Sequence, residues 1–213
     1  MSLLEPELSW RSEDGETVPA LVWRAGAGWR MLASSVVGGG LGERAWILNA
    51  QVGDGYARLD PERHLADLAR ASSLDGAGAG MLTAADVAAF QHTEDAGVEV
   101  LATVGLGFPT WAAAPPEPAE LTDATPAPGT INLVVAVPAT LSDAALVNAV
   151  ATVTEAKVQG LLEAGWACTG TASDAVCVAT RVGGPAEAFG GPRSRWGARI
   201  ARAIHAAVIA GAR

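Results

Sequence analysis

The period of the hydrophobic pattern changes along the chain, and each change marks an element. From Thr130 to Val137 the residues are almost all apolar and rich in β-branched types, the composition of a buried strand. Pro138 closes it, and from Leu141 to Ala164 the period becomes helical. Ser142 is placed to cap that helix, Asp143 sits in the first turn where the macrodipole favours a carboxylate, and Gly165 ends it. A polar turn, Thr169 to Val176 (TGTASDAV), leads into a second strand, Val176 to Val182. The remainder of the chain is read around this unit.

At about 100° per residue, Asn148, Thr152, Glu155 and Gln159 share one polar stripe of the helix, with Leu146, Val150, Val153 and Leu161 opposite. Lys157, the only lysine, projects from the apolar side. Two readings are open. Its stem lies along a helix edge and the ammonium escapes to water, or it enters a polar site cut into the core, where it orients or polarises a substrate group.

Upstream, Leu8 to Arg11, Ala20 to Arg24 and Trp29 to Ser35 read as a β meander with turns at Asp14-Gly15 and Gly26-Ala27-Gly28. Ser34 to Gly42 (SSVVGGGLG) lacks the spacing and lysine of a phosphate loop; it is a turn, or a loop lining a pocket with Gly39 and Gly40 against the ligand. Ala45 to Val52 is a buried strand containing Asn49, and Asp60-Pro61 starts a helix to about Ser72, with His64 at an exposed or boundary position. Gly76 to Gly80 reads as a loose connection. A short helix through about Phe90 and a strand from Val98 to Val104 follow. A proline-rich stretch at about 112–128 is a surface loop or flap, with Trp111 at its root. The chain ends in a helix from about Ser194, with Trp196, Ile200, Ile204 and Val208 on one side, Arg195, Arg199 and Arg202 opposite, and His205 at the border.

A weak internal echo sets Gly80 to Val87 (GMLTAADV) beside Gly170 to Val176 (GTASDAV), so that Thr83 and Asp86 answer Thr171 and Asp174, and Asn49 answers Asn132. It predicts two pseudo-symmetric halves whose turns meet at a shared cleft. The alternative is that Thr83 and Asp86 only cap a helix.

With 213 residues, half of them hydrophobic, one domain spanning 1–213 is expected, of α+β class with mixed β-sheet layers packed with α-helices. No apolar run reaches a membrane-spanning length and no signal-peptide pattern opens the chain, so a soluble cytoplasmic protein is expected. A net charge of −9 argues against nucleic-acid partners. Among the arginines near the C-terminus, Arg193 in a Gly-Pro turn is the one placed for recognition. Cys168 and Cys177 read as reduced and buried, and His64, His92 and His205 are too scattered for a three-ligand zinc site, so no metal is expected.

Several segments in this order resemble one family. Ser34 to Gly42 (SSVVGGGLG), Trp46 to Ala50 (WILNA), GMLTAADV, Ala102 to Ala114 (ATVGLGFPTWAAA), Gly129 to Asn132 (GTIN), Leu141 to Lys157, TGTASDAV and Phe189 to Gly197 (FGGPRSRWG) are together similar to adenosylcobinamide amidohydrolases, the CbiZ family. The resemblance implies hydrolysis of the amide joining aminopropanol to the corrin, releasing adenosylcobyric acid for corrinoid salvage. The corrinoid is then the substrate, and no cofactor is required.

The residues suit such a substrate, a broad apolar disc rimmed with carboxamides. Trp46, Trp111, Trp166 and Trp196 offer flat contact; Asn49, Asn132 and Asn148 offer neutral hydrogen bonding. Two mechanisms stay open. Asp174 or Asp86 activates water, with Lys157 or an asparagine polarising the carbonyl and N–H groups of the Gly170 or Gly38 loop holding the oxyanion. Otherwise Thr171 or Ser173 attacks, activated by Lys157 or His205. A non-catalytic corrinoid-binding protein and an amidase for another small amide are the competing functions.

Overall fold

The computed structural model describes residues 2–53, 55–115 and 129–213, and among these the chain folds as two stacked β-sheets with helices on both outer faces. Strands β1 (Pro6–Glu13) and β2 (Glu16–Trp23) form a hairpin closed by Asp14 and Gly15, at φ 50° and 86° as a two-residue hairpin turn requires. The expected meander ends there. Strand β3 (Trp29–Ala33) crosses to the other sheet and pairs with β4 (Gly40–Glu43) and β10 (Ala175–Arg181). The crossing lets Trp29 meet Trp23 edge to face from the opposite layer, ring centroids 4.9 Å apart, so both indoles fill the space between the sheets.

The first sheet runs β1-β2-β5-β6, where β5 (Trp46–Gln51) and β6 (Gly78–Thr83) are parallel and joined by helix α1 (Pro61–Ala71). The second runs β4-β3-β10-β9-β8-β7, with β7 at Gln91–Asp95, β8 at Val98–Val104 and β9 at Ile131–Val137. Here β9 and β10 are parallel and joined by α2 (Asp143–Glu163), beside which α3 (Arg195–Gly211) packs over β7 and β8. The α+β expectation of mixed sheet layers packed with helices holds.

Three apolar layers follow from this stacking. Ala20, Val22, Leu48 and Leu65 lie between α1 and the first sheet; Trp23, Met31, Ile47, Met81, Val134 and Cys177 lie between the sheets; Leu133, Val135, Val153, Ile200 and Ile204 lie under α2 and α3. Covered on both faces, β9 has no exposed position, which explains its uninterrupted apolar sequence. Ser142 and Ser194 cap their helices as expected, each hydroxyl accepting an N–H at 3.1 Å.

Several elements differ from the expectation. Asp60 does not cap α1 with its side chain, because Arg58 takes both carboxylate oxygens. Thr152, expected on the polar stripe, is buried and donates to the Gly190 carbonyl at 2.9 Å. The segment read as a loose connection includes the start of β6, whose glycines hide a strand. A Cβ at Gly78 would sit 1.9 Å from the Trp46 ring, so the absent side chain makes room for the neighbouring indole. Because Thr83 ends β6 whereas Thr171 and Asp174 precede β10, the two echo segments occupy different positions relative to their strands. Of the proline-rich loop, residues 116–128 lie outside the described residues. Among the described residues no helix is long and apolar enough to cross a membrane.

The N-terminal segment is anchored by Glu99 on β8. Its carboxylate accepts from Leu3 N at 2.7 Å, Ser2 Oγ at 2.7 Å and Leu4 N at 3.1 Å, and meets His92 Nε2 at 3.0 Å. Burial opposes its ionisation, but these partners outweigh that and hold its pKa below the ordinary value. A depressed carboxylate pKa contributes stability above the usual carboxylate range that is lost as pH falls through the folded-state value. Glu99→Gln should therefore cost about 1–3 kcal/mol at neutral pH and flatten the acid limb of a stability–pH profile, measured by denaturant unfolding.

Candidate active site

Lys157 does not escape to water. From the buried side of α2 its ammonium reaches Asp174 Oδ2 at 2.5 Å, at the end of the turn that leads into β10. The carboxylate is further held by Ile131 N at 3.0 Å, Thr171 N at 3.2 Å and the Thr171 hydroxyl at 2.5 Å. Both oxygens are thus engaged, by an ammonium, two backbone N–H groups and a hydroxyl. The pair also explains Gly170, where a Cβ would stand 2.1 Å from Asp174 Oδ2 and 2.6 Å from Lys157 Nζ.

The next side chain, Ser173, meets Thr130 at 2.7 Å, hydroxyl to hydroxyl. One hydroxyl donates to the other, so the acceptor keeps its own hydrogen for a third partner. Both face a cavity of about 290 Å³ walled also by Ser34, Val36, Tyr56, Thr83 and Asp174. Three consecutive residues at the start of β9 organise this wall: Thr130 touches Ser173, Ile131 N binds Asp174, and Asn132 donates to Asn49 Oδ1 at 2.8 Å. Asn49 in turn donates to Thr103 Oγ1 at 3.0 Å, giving a buried polar chain that ties the first sheet to the second. Asn132 Nδ2 also donates to the Leu82 carbonyl, while Asn132 Oδ1 has no partner among the described residues.

The other candidate residues are dispersed. Asp86 is exposed and caps the short 3-10 turn Val87–Ala89 by accepting from Ala88 N, although Thr83 and Asp174 do share the cavity. Gly39 and Gly40 lie outside the cavity lining and serve the loop itself. A Cβ at Gly39 would meet the Ser35 carbonyl at 2.7 Å, and Gly40, at φ 81°, opens β4; the same loop brings Ser34 and Val36 to the cavity. Asn148 and Arg193 are exposed, and Asn148 borders Gly191 near the amino-terminal half of α2, more than two turns of helix from Lys157. Trp111 is 48% exposed on a segment docked against the turn through the Thr110–Gly170 bridge. Trp46 and Trp196 are buried in the core, and Trp166 donates to the Ala212 carbonyl. His205 is drawn away from Thr171 and Ser173 by Glu163, at 2.8 Å.

Sequence reasoning missed Tyr56, which lines the cavity, and the group behind it. His64, expected at an exposed or boundary position, is 4% exposed, with Nδ1 at 3.1 Å from the Tyr56 hydroxyl and Nε2 at 3.1 Å from Glu13 Oε1. Burial raises the pKa of Tyr56; Arg58 opposes the rise, and Glu13 and Asp60 add to it. The available signals were that Tyr56 is the only tyrosine and that His64 stands one helical turn before Leu68.

The family profile described as adenosylcobinamide amidohydrolase matches residues 5–213. The chain is 29% identical over 187 residues to the adenosylcobinamide amidohydrolase of Methanosarcina mazei, an alignment covering 84% of this chain and 88% of that protein. It is 44% identical over 115 residues to the protein of the same name from Halobacterium salinarum, covering 53% of this chain and 49% of that one. A solved structure from Pyrococcus horikoshii aligns with a TM-score of 0.46 at 14% identity, over 92% of this chain and 76% of that one.

Gly170→Ala should force the Lys157–Asp174 pair apart and lower stability by about 1–3 kcal/mol, read as a drop in Tm. Ala172→Gly, in the same turn, should lower Tm by less than half as much.

Proposed function

The chain belongs to the adenosylcobinamide amidohydrolase (CbiZ) family, and from that membership we propose that it hydrolyses the amide joining aminopropanol to the corrin side chain of adenosylcobinamide, giving adenosylcobyric acid. The observation that carries the assignment to a site is the buried Lys157–Asp174–Thr171 cluster set against a cavity beside the Ser173–Thr130 hydroxyl pair. Such an arrangement fixes hydroxyl groups in one geometry, as carbonyl polarisation requires.

In this reading the cavity takes the amide-bearing side chain, since a corrin disc exceeds about 290 Å³, and the disc rests outside on exposed apolar groups such as Val36 and Trp111. The hydrogen left unspent in the Ser173–Thr130 pair goes to the amide carbonyl. Asp174, with both oxygens engaged, holds the turn together with Lys157, and Thr171 spends its hydroxyl on Asp174. The attacking oxygen is water. No metal or added cofactor is invoked, because the polar groups at this wall are hydroxyls and a carboxylate already saturated by donors, a poor ligand set for a cation. The two buried free thiols, Cys168 and Cys177, suit a reducing compartment and so support a cytoplasmic location.

Purified protein incubated with adenosylcobinamide, with and without chelator, should release adenosylcobyric acid and aminopropanol at equal rates, detected by chromatography and mass. A corrinoid-induced change in tryptophan fluorescence without product would instead mark a binding protein, and turnover of small amides alone would mark a different amidase. Asp174→Asn and Lys157→Met should each lower kcat on the order of 100-fold while corrinoid affinity changes less than about threefold. Near wild-type rates in both variants would remove the cluster from the reaction.

A further inference from the structure

We infer that Tyr56, backed by His64 and Glu13, is the proton-transfer group of the hydrolysis, because the three side chains form a continuous phenol–imidazole–carboxylate line that ends at the cavity wall. The inference rests on the amidohydrolase reading and deepens it.

Among the described residues that line the cavity, Asp174 and Tyr56 are the titratable ones, and Asp174 already has donors on both oxygens. That leaves Tyr56 as the group free to exchange a proton with water inside the cavity. Three elements assemble its support. Tyr56 N donates to the Gly53 carbonyl, and the phenol ring lies over α1, stacked on His64 at 5.5 Å between centroids. The first turn of α1 points His64 inward, and the end of β1 brings Glu13 beneath it. Arg11 fixes the other Glu13 oxygen at 2.6 Å and is itself anchored on the Gln51 carbonyl.

With Glu13 ionised, His64 carries its hydrogen on Nε2 and turns the Nδ1 lone pair to the Tyr56 hydroxyl. The same division of labour, an acid–base group oriented by a buried carboxylate, recurs wherever a histidine activates a hydroxyl. Desolvation raises the pKa of Tyr56, so the group is a phenol at neutral pH and acts by relay, not as a standing phenolate.

The steps balance without any further reactant. As the water oxygen bonds to the amide carbon, its proton passes to the Tyr56 oxygen and the Tyr56 proton passes to His64 Nδ1, giving an imidazolium that Glu13 stabilises. The proton then returns from His64 through Tyr56 to the amide nitrogen, the C–N bond breaks, and aminopropanol leaves with the carboxylic acid formed. In this scheme Tyr56 is catalytic, and His64 and Glu13 are positioning residues.

The test uses the full chain, adenosylcobinamide and the variants Tyr56→Phe, Glu13→Gln and their combination. Tyr56→Phe keeps the stacked ring but takes the donor from His64 Nδ1, so Tm should fall modestly and corrinoid affinity stay close to wild type while kcat falls about 100-fold. Glu13→Gln should lower kcat about 10-fold or more, and the double variant should be no slower than Tyr56→Phe alone, since the residues act as one unit. A Tyr56→Phe enzyme within about threefold of the wild-type kcat overturns the relay while leaving the amidohydrolase reading intact. Multiplying effects in the double variant also overturn it. A wild-type protein that releases no adenosylcobyric acid overturns the amidohydrolase reading itself, and the relay with it.

Discussion

An ammonium ion buried on the inner side of a helix sets the terms for everything around it. Desolvating one charge costs several kcal/mol, and leaving it unpaired would exceed what a protein of this size can spare. Lys157 is therefore tied to Asp174, and Asp174, once buried, needs donors for its remaining lone pairs; it finds them in Ile131 N and in the N–H and hydroxyl of Thr171. Each of these partners belongs to a different piece of backbone. The pair thus fixes α2, the start of β9 and the turn before β10 relative to one another, and demands glycine at position 170 because a side chain there would occupy the place of the ions. Ser173 and Thr130 face one another as a consequence of this fixation.

The stacked sheets supply the second half of the geometry. The layer between them is largely apolar, and at one end Asn49, Thr103 and Asn132 bridge from the first sheet to the second. The hydrogen bonds from Asn132 Nδ2 to Asn49 and from Asn49 to Thr103 are directional, so this bridge fixes the offset of the sheets as a set of apolar contacts alone would not. The cavity opens at that end, past Leu82 and Thr83 on one side and Thr130 and Ser173 on the other. It meets the carboxyl ends of β5 and β6 but the amino ends of β9 and β10, so the two parallel units approach the cavity from opposite directions.

Legibility in the sequence followed the range of the interactions. The caps of α2 and α3 and the buried strands β9 and β10 are written in neighbouring residues, and so is the unusual place of Lys157 on an apolar helix side. Its carboxylate partner could be singled out because Asp174 follows a glycine-containing turn. By contrast, β3 leaves the hairpin sheet for reasons that lie in Trp23 and in β10, which is far away in sequence. The start of β6 looks like a linker because its glycines yield space to Trp46, a neighbour that no local pattern reveals. His64 gave a boundary signal at best, since its burial depends on the return of β1 beneath α1. Asp86, Asn148 and Arg193 stand out in the sequence by residue type at turns and helix faces, and type alone does not decide which ends of a fold converge.

The two polar walls of the cavity differ in what their hydrogen bonds leave unspent. On the wall formed by the turn before β10, donors converge on Asp174 until its lone pairs are filled, so that side is electrostatically settled and suited to holding a group in place. On the wall formed by Tyr56, a phenol rests on an imidazole whose far nitrogen faces a carboxylate, an arrangement in which moving a proton inward creates an ion pair instead of a lone buried charge. A hydrolysis needs both behaviours at once: one rigid face to polarise the carbonyl and one exchangeable face to move protons between water and the leaving amine. That asymmetry also fits a small cavity serving a large substrate. In the proposed reading only the linkage to be cut enters between the walls, which assigns selectivity for the bond to the cavity and recognition of the ring to the surface outside it.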